Sequence, residues 1–176
     1  MTALASPSRG ASLWQRWRFH LSALVLIVPV IFTPVFFQEN AFFDGKKGLG
    51  QREIGEIAVG PWSVRLAEFK VVAPDAEGRA GYAKTFALAL CPACVDEVKA
   101  AYLRVGKPRN IRTAGALFSG TPYRQTAEMR IPDRTTADDV LWLTLEGWDG
   151  ALHQATIPIR AASPITAAWL EKRGRP

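Results

Sequence analysis

The chain's only two cysteines stand in Cys91-Pro92-Ala93-Cys94. Two thiols at that spacing support three chemistries. Oxidised, they form a small disulfide staple that pins a loop between two strands, with a modest entropic effect because the enclosed loop is tiny. Reduced and activated, Cys91 can attack a disulfide and Cys94 can resolve the mixed intermediate. As thiolates they suit soft ions such as Cu(I) or Zn(II), which need further donors to close the shell. Of the residues beyond the apolar N-terminal run, His153 and Met129 are the soft donors available. The candidate metal set is therefore Cys91, Cys94 and His153; Met129 is read more simply as a core residue.

The residues flanking the pair decide among these readings. Thr85–Leu90 is an apolar run suited to a strand, and Val95, Val98, Tyr102 and Val105 recur at helical spacing. A strand leading into C-x-x-C and then a helix resembles the family of thiol–disulfide oxidoreductases. The resemblance covers Thr85–Val105 alone. It implies a thioredoxin-like fold in which Cys91, at a helix N-terminus, is the attacking thiolate and Cys94 the resolving thiol. If the domain is instead all-β, Val95–Val105 must be a strand, and the two readings part at that segment.

The compartment bears on the same question. Leu21–Phe37 contains no charged side chain and is preceded by Arg9, Arg16 and Arg18, with Trp14 and Trp17 beside them. At about 1.5 Å per residue the run reaches ~26 Å, and Phe19, His20 and Gln38 bring it to the ~30 Å of a hydrocarbon core. The basic flank favours a cytoplasmic N-terminus, and the tryptophans suit the headgroup region. Thr33-Pro34-Val35-Phe36-Phe37 offers no small-residue cleavage site of a signal peptide. The expectation is a cytoplasmic stub (1–19), a transmembrane anchor (20–38), a juxtamembrane linker (39–51), a periplasmic β domain (52–161) and a C-terminal helix and tail (162–176). That places the protein in a bacterial inner membrane, with the cysteines in an oxidising space.

All 16 acidic residues follow the apolar run, with 19 of the 22 basic ones, so the exported part is only +3. The high pI is largely a topology signal. No basic cluster is interleaved with aromatics, and nucleic-acid binding is excluded on that ground. What contacts the bilayer is Leu21–Phe37.

Period-2 alternation dominates the exported part. Trp62, Val64 and Leu66 share a face, as do Phe86, Leu88 and Leu90; Ala127, Met129 and Ile131; Leu141, Leu143 and Leu145; and Ala155, Ile157 and Ile159. Asp149-Gly150 signals a type I′ hairpin. Trp62, Phe69, Phe86, Phe118, Trp142 and Trp148 are the bulk for one core. Short strands at this spacing predict an antiparallel immunoglobulin-like β-sandwich. Ser163 as N-cap, Pro164 at the first turn and Gly174 at the end predict a short C-terminal helix, with Lys172 and Arg173 suited to its negative end.

No GxSxG, HExxH, P-loop or dinucleotide fingerprint occurs. The Asp138-Asp139 pair reads as a solvated loop. Trp148, at a hairpin tip, and Trp169, on the C-terminal helix, are candidate partner-binding residues. The combined expectation is a non-enzymatic accessory or assembly protein acting beside a membrane-protein partner in metal or redox handling. Its layout is similar to that of small anchored periplasmic proteins that accompany copper-oxidase maturation or metal uptake. The alternatives are the tethered oxidoreductase and a low-affinity Cu(I) or Zn(II) carrier.

Overall fold

The computed structural model describes residues 9–43 and 48–174. The start of the expected stub, residues 44–47 of the linker and the last two tail residues lie outside the described residues. The chain divides into two compact units at Ala41/Phe42.

The first unit holds helix α1 (Arg9–Phe43), 35 residues long, whose last two residues fall past the division. It begins within the expected stub and runs on into the expected linker, so the apolar run is the middle of a longer helix. Pro29 and Pro34 lie inside it. Ser22 and Thr33 turn their hydroxyls onto the carbonyls of Arg18 and Pro29, both at 2.8 Å, and so satisfy themselves within the helix. His20–Gln38 is long and apolar enough to cross a membrane.

The second unit is mainly β. Its strands are β1 (Arg52–Val59), β2 (Trp62–Glu68), β3 (Asp75–Ala76), β4 (Tyr82–Leu90), β5 (Val98–Val105), β6 (Ala116–Leu117), β7 (Ser119–Thr121), β8 (Arg124–Ile131), β9 (Val140–Gly147) and β10 (Leu152–Pro158). Two short helices follow, α2 (Ile159–Ala162) and α3 (Pro164–Arg173). Sheet A has the order β1-β2-β4-β8-β7, with β3 paired to the start of β4; sheet B has the order β10-β9-β5-β6. Every pairing among the described strands is antiparallel.

The alternation read from the sequence sets the core between the sheets. Val64, Leu66, Phe86, Leu88, Met129 and Ile131 of sheet A meet Leu103, Leu141, Leu143, Leu145 and Ile157 of sheet B in one buried cluster. The outer face of sheet A carries small residues, Ala67, Ala87 and Ala89, which Leu49 and Phe69 cover. Both faces of the β2–β4 pair are thus buried, which explains why the apolar alternation slips after Leu66.

Val98–Val105 is strand β5, as the all-β reading requires and not the helix that the oxidoreductase resemblance implies. Three expectations are corrected. Trp148 is exposed and Trp142 sits half-buried on the outer face of sheet B, so neither belongs to the core. The Asp149-Gly150 turn is not type I′, because no described non-glycine residue has positive φ. Gly150 N–H donates to Gly147 O (3.0 Å) and alone has positive φ, which makes a three-residue loop. Strand β10 ends at Pro158, and Ile159 opens α2 while remaining in the core.

Helix α3 starts as the sequence predicts, with Ser163 Oγ accepting from Thr166 N–H. The same hydroxyl donates to Glu68 Oε1 (2.6 Å). Glu68 has no exposed surface, and around it gather Lys84 Nζ (2.8 Å) and Arg52 Nε (3.0 Å). Lys84 also donates to Lys70 O and Val72 O, and Arg52 to Ala161 O and Ala162 O. Burial alone would raise the Glu68 carboxyl, but hydrogen bonds from Lys84, Ser163 and Arg52 outweigh it and hold it below its ordinary value.

Lys84→Met removes one partner of a buried carboxylate, and an equilibrium unfolding series is expected to show a loss of about 3–5 kcal/mol. A group with a depressed folded pKa contributes stability above its unfolded pKa and loses it as pH falls through the folded one. The difference in Tm between wild type and Glu68→Gln should therefore be full at neutral pH and shrink below about pH 4.

Candidate functional site at the Cys91–Cys94 turn

The chain must cross from sheet A to sheet B after Leu90, and the crossover is Cys91–Glu97. Pro92 fits the first position of a 3-10 turn (Pro92–Cys94), with Cys94 N–H donating to Cys91 O (3.0 Å) and Glu97 N–H to Cys94 O (3.2 Å). Cys91 N–H donates to Ser63 O (3.1 Å), which fixes the turn to β2. The two sulfurs are paired at disulfide distance, with Cα atoms 5.3 Å apart. Cys94 is buried in the core and Cys91 is half-buried. Beside Cys91 lies a groove of about 230 Å³ lined by Glu56, Ser63, Arg65, Leu90 and Pro92.

Since a strand follows the turn, no α-helix N-terminus faces the cysteines. The feature that lowers thiol pKa in the thioredoxin-like arrangement is absent from this segment, and Asp96 and Glu97 follow instead.

Trp62 organises this end of the domain. It is buried, and its Nε1–H donates to Glu97 Oε2 (2.7 Å). Its ring meets His153 edge-on, with centroids 5.0 Å apart. A Cβ on Gly147 would come within 2.9 Å of Trp62 Cη2, and a Cβ on Gly60 (φ +62°) within 2.2 Å of His153 Nδ1. His153 is thus held between the β1–β2 turn and Trp62. Among the described residues no three His, Cys, Asp or Glu side chains form a metal-binding group, so the structure does not assemble Cys91, Cys94 and His153 into one. Met129 lies in the core.

Trp148 is 69 % exposed, and its N–H donates to Glu97 O (3.1 Å), three residues after Cys94. Asp149 Oδ1 accepts from Ala151 N–H (2.9 Å) and stiffens the loop that presents the indole. On the adjoining outer face of sheet B, the Lys99 ammonium stands 2.6 Å from Glu146 and holds that carboxyl below its ordinary value. The turn and the hairpin tip singled out in the sequence are therefore neighbours. Trp169 is elsewhere: its ring lies 4.6 Å from Tyr82, with the Arg173 guanidinium over it, where α3 closes the opposite end of the core. Asp138 there pairs with Arg160 (3.0 Å).

Trp62 and Glu97 belong to this end through a contact that no sequence motif marks. In the sequence Trp62 reads as ordinary core bulk. A Trp–Glu hydrogen bond across 35 positions leaves no local signature.

A family model described as uncharacterised conserved protein UCP029505 matches residues 13–160. The chain belongs to that family. The UCP029505 match takes in most of α1 and all ten strands and stops within α2, short of α3. No curated protein and no solved structure matches the chain.

The Cys91–Cys94 loop is short enough that the bond should contribute only about 2 kcal/mol or less. A Cys91→Ala/Cys94→Ala double variant is expected to remain folded by circular dichroism, with a lowered Tm. Leu143→Ala, deep in the core, should cost more, about 2–5 kcal/mol.

Proposed function

We propose that this is a single-pass protein of a bacterial inner membrane whose C-terminal domain is an immunoglobulin-like sandwich in the periplasm, serving as an accessory or assembly subunit for a membrane-protein partner. The strand order supports the sandwich reading. With β1 set aside as an added edge strand, β2-β4-β8-β7 follows the order A-B-E-D and β10-β9-β5 the order G-F-C. The three arginines before the apolar run and the charge-free span support the membrane orientation. A tether raises the concentration of the domain near a membrane partner without any new contact.

The observation that carries the functional reading is the hydrogen bond from Trp148 N–H to Glu97 O. It joins an exposed tryptophan on a stiffened loop to the disulfide turn, forming one working end. A large, rigid, exposed aromatic is the residue type that anchors protein interfaces. The disulfide holds the turn in one shape in an oxidising compartment. The role is recognition rather than catalysis.

Two measurements test this. A C-terminal alkaline phosphatase fusion should be active, and the protein should stay in the membrane pellet after alkaline carbonate extraction; an inactive fusion would reverse the orientation. Full-length protein purified from gently solubilised membranes should carry a membrane protein at a fixed ratio. Trp148→Ala should remove it at unchanged Tm, and Trp142→Ala should not. Co-purification indifferent to Trp148 would sink the working-end assignment.

A further inference from the structure

Sheet A has an unfinished edge. Strand β7 pairs with β8 only from Arg124 to Thr126, and the sheet order gives β8 no neighbour beyond β7. Ala127–Ile131 is therefore hydrogen-bonded to β4 on one side and to no strand on the other, where β5 and β6 of the second sheet stand close by. A slot of about 370 Å³ runs along this stretch. Glu128, Met129 and Arg130 line one wall in succession, facing Leu103, Arg104 and Val105 of β5 and Gly115 and Ala116 at the entry to β6. Consecutive residues on one wall mean that the slot exposes the strand's edge, with its main chain, rather than one of its faces. The open length is bounded by Ser119, which pairs with Thr126, and by Pro132, which has no N–H to extend a ladder.

An unpaired strand edge is a template for another strand. The side chains along this one are self-complementary. Ala127, Met129 and Ile131 are buried in the domain's own core, while Glu128 and Arg130 are exposed on the outer face. An antiparallel two-fold centred on Met129 sets Ala127 opposite Ile131 of a second copy. It also sets Glu128 opposite Arg130, and by symmetry Arg130 opposite Glu128. Two cross-strand ion pairs result, with no like charges facing each other.

The charges around β8 favour the same occupant. The neighbouring Glu77 carboxylate, with Asp75 adding to it, pushes the Glu128 carboxyl up. Among the described residues no Lys or Arg is ion-paired with Asp75, Glu77 or Glu128, and Arg130 has no acidic partner. β3 carries Asp75 on the side of β4 away from β8, so at the open edge it is Glu128 that lacks a cation, which Arg130 of a second copy would supply, and Arg130 that lacks an anion, which Glu128 of that copy would supply.

We propose that the β8 edges of two copies pair antiparallel about Met129, so that two sheets A become one continuous sheet in a two-fold homodimer.

The test is the protein mass of the full chain in mild detergent at micromolar concentration, measured by light scattering after gel filtration. Wild type should be a dimer. Glu128→Arg sets like charges opposite each other twice and should raise the dissociation constant about tenfold or more. The exchanged variant Glu128→Arg/Arg130→Glu should restore the dimer. A monomeric wild type would overturn the proposal. So would a dimer indifferent to Glu128→Arg, which would place association on α1 or another surface, and so would failure of the exchanged variant to re-associate. Cross-linking keeps the test open if the single variant folds poorly. Co-expressed Glu128→Cys and Arg130→Cys chains should form an interchain disulfide on oxidation, because residues directly opposite across strands fall within disulfide reach. Neither variant expressed alone should form it, and no cross-link in the mixture would also count against the dimer.

Discussion

A single buried carboxylate governs how the β unit is closed. Glu68 has no contact with water, and an ionised group in that position costs several kcal/mol unless it is paired and fully hydrogen-bonded. Its partners come from distant parts of the chain: Arg52 on β1, Lys84 on β4 and Ser163 at the start of α3. Satisfying one group thus brings together three strands of sheet A and the C-terminal helices. The partners are shared in turn. Arg52 also takes the carbonyls at the end of α2, and Ser163 is at once donor to Glu68 and cap of α3. The helical end of the domain cannot be displaced without stranding a charge, which is why a short helix such as α3 can hold its place.

The opposite end is organised on another principle. There the order comes from close packing around Trp62, with glycines at 60 and 147 leaving room for rings, and from a turn tied to itself through Cys91 and Cys94. Two features with chemical interest, the half-buried sulfur and the exposed Trp148, fall at this end because β4, β5, β9 and β10 all begin or end there. A rigid core positions the loop residues. Among the described residues Cys91, Cys94 and His153 form no metal-binding group, and the His153 ring packs against Trp62 instead.

How far the sequence could be read depends on the range of the interaction. Alternating runs such as Leu141-Leu143-Leu145 need only their own neighbours to declare a face, and they point inward. The start of α3 is likewise local: serine, then proline, then a backbone N–H on the serine oxygen. Val95–Val105 was ambiguous because Val98 and Val105 satisfy a helical stripe as readily as a strand with a bulge, and the structure has that bulge between Val98 and Ala100. Tryptophan content misled, because Trp148 at a hairpin tip has the same hydrophobicity as Trp62 in the core. Glu68 with Lys84 was invisible. Each reads as an ordinary surface charge until the strands bring them together.

Leu49 has a mechanical consequence. It sits under no exposed surface against Ala67, Ala87 and Ala89, just ahead of β1, while Gln51 N–H bonds to Phe69 O. Tension drawn along the chain from α1 therefore meets this seat before it reaches the first strand. A pull applied directly at Arg52 would open the β1–β2 ladder one hydrogen bond at a time. With Leu49 seated, the load is spread over the alanine face of the central strands. The residue acts as strain relief at the chain's entry to the sheet.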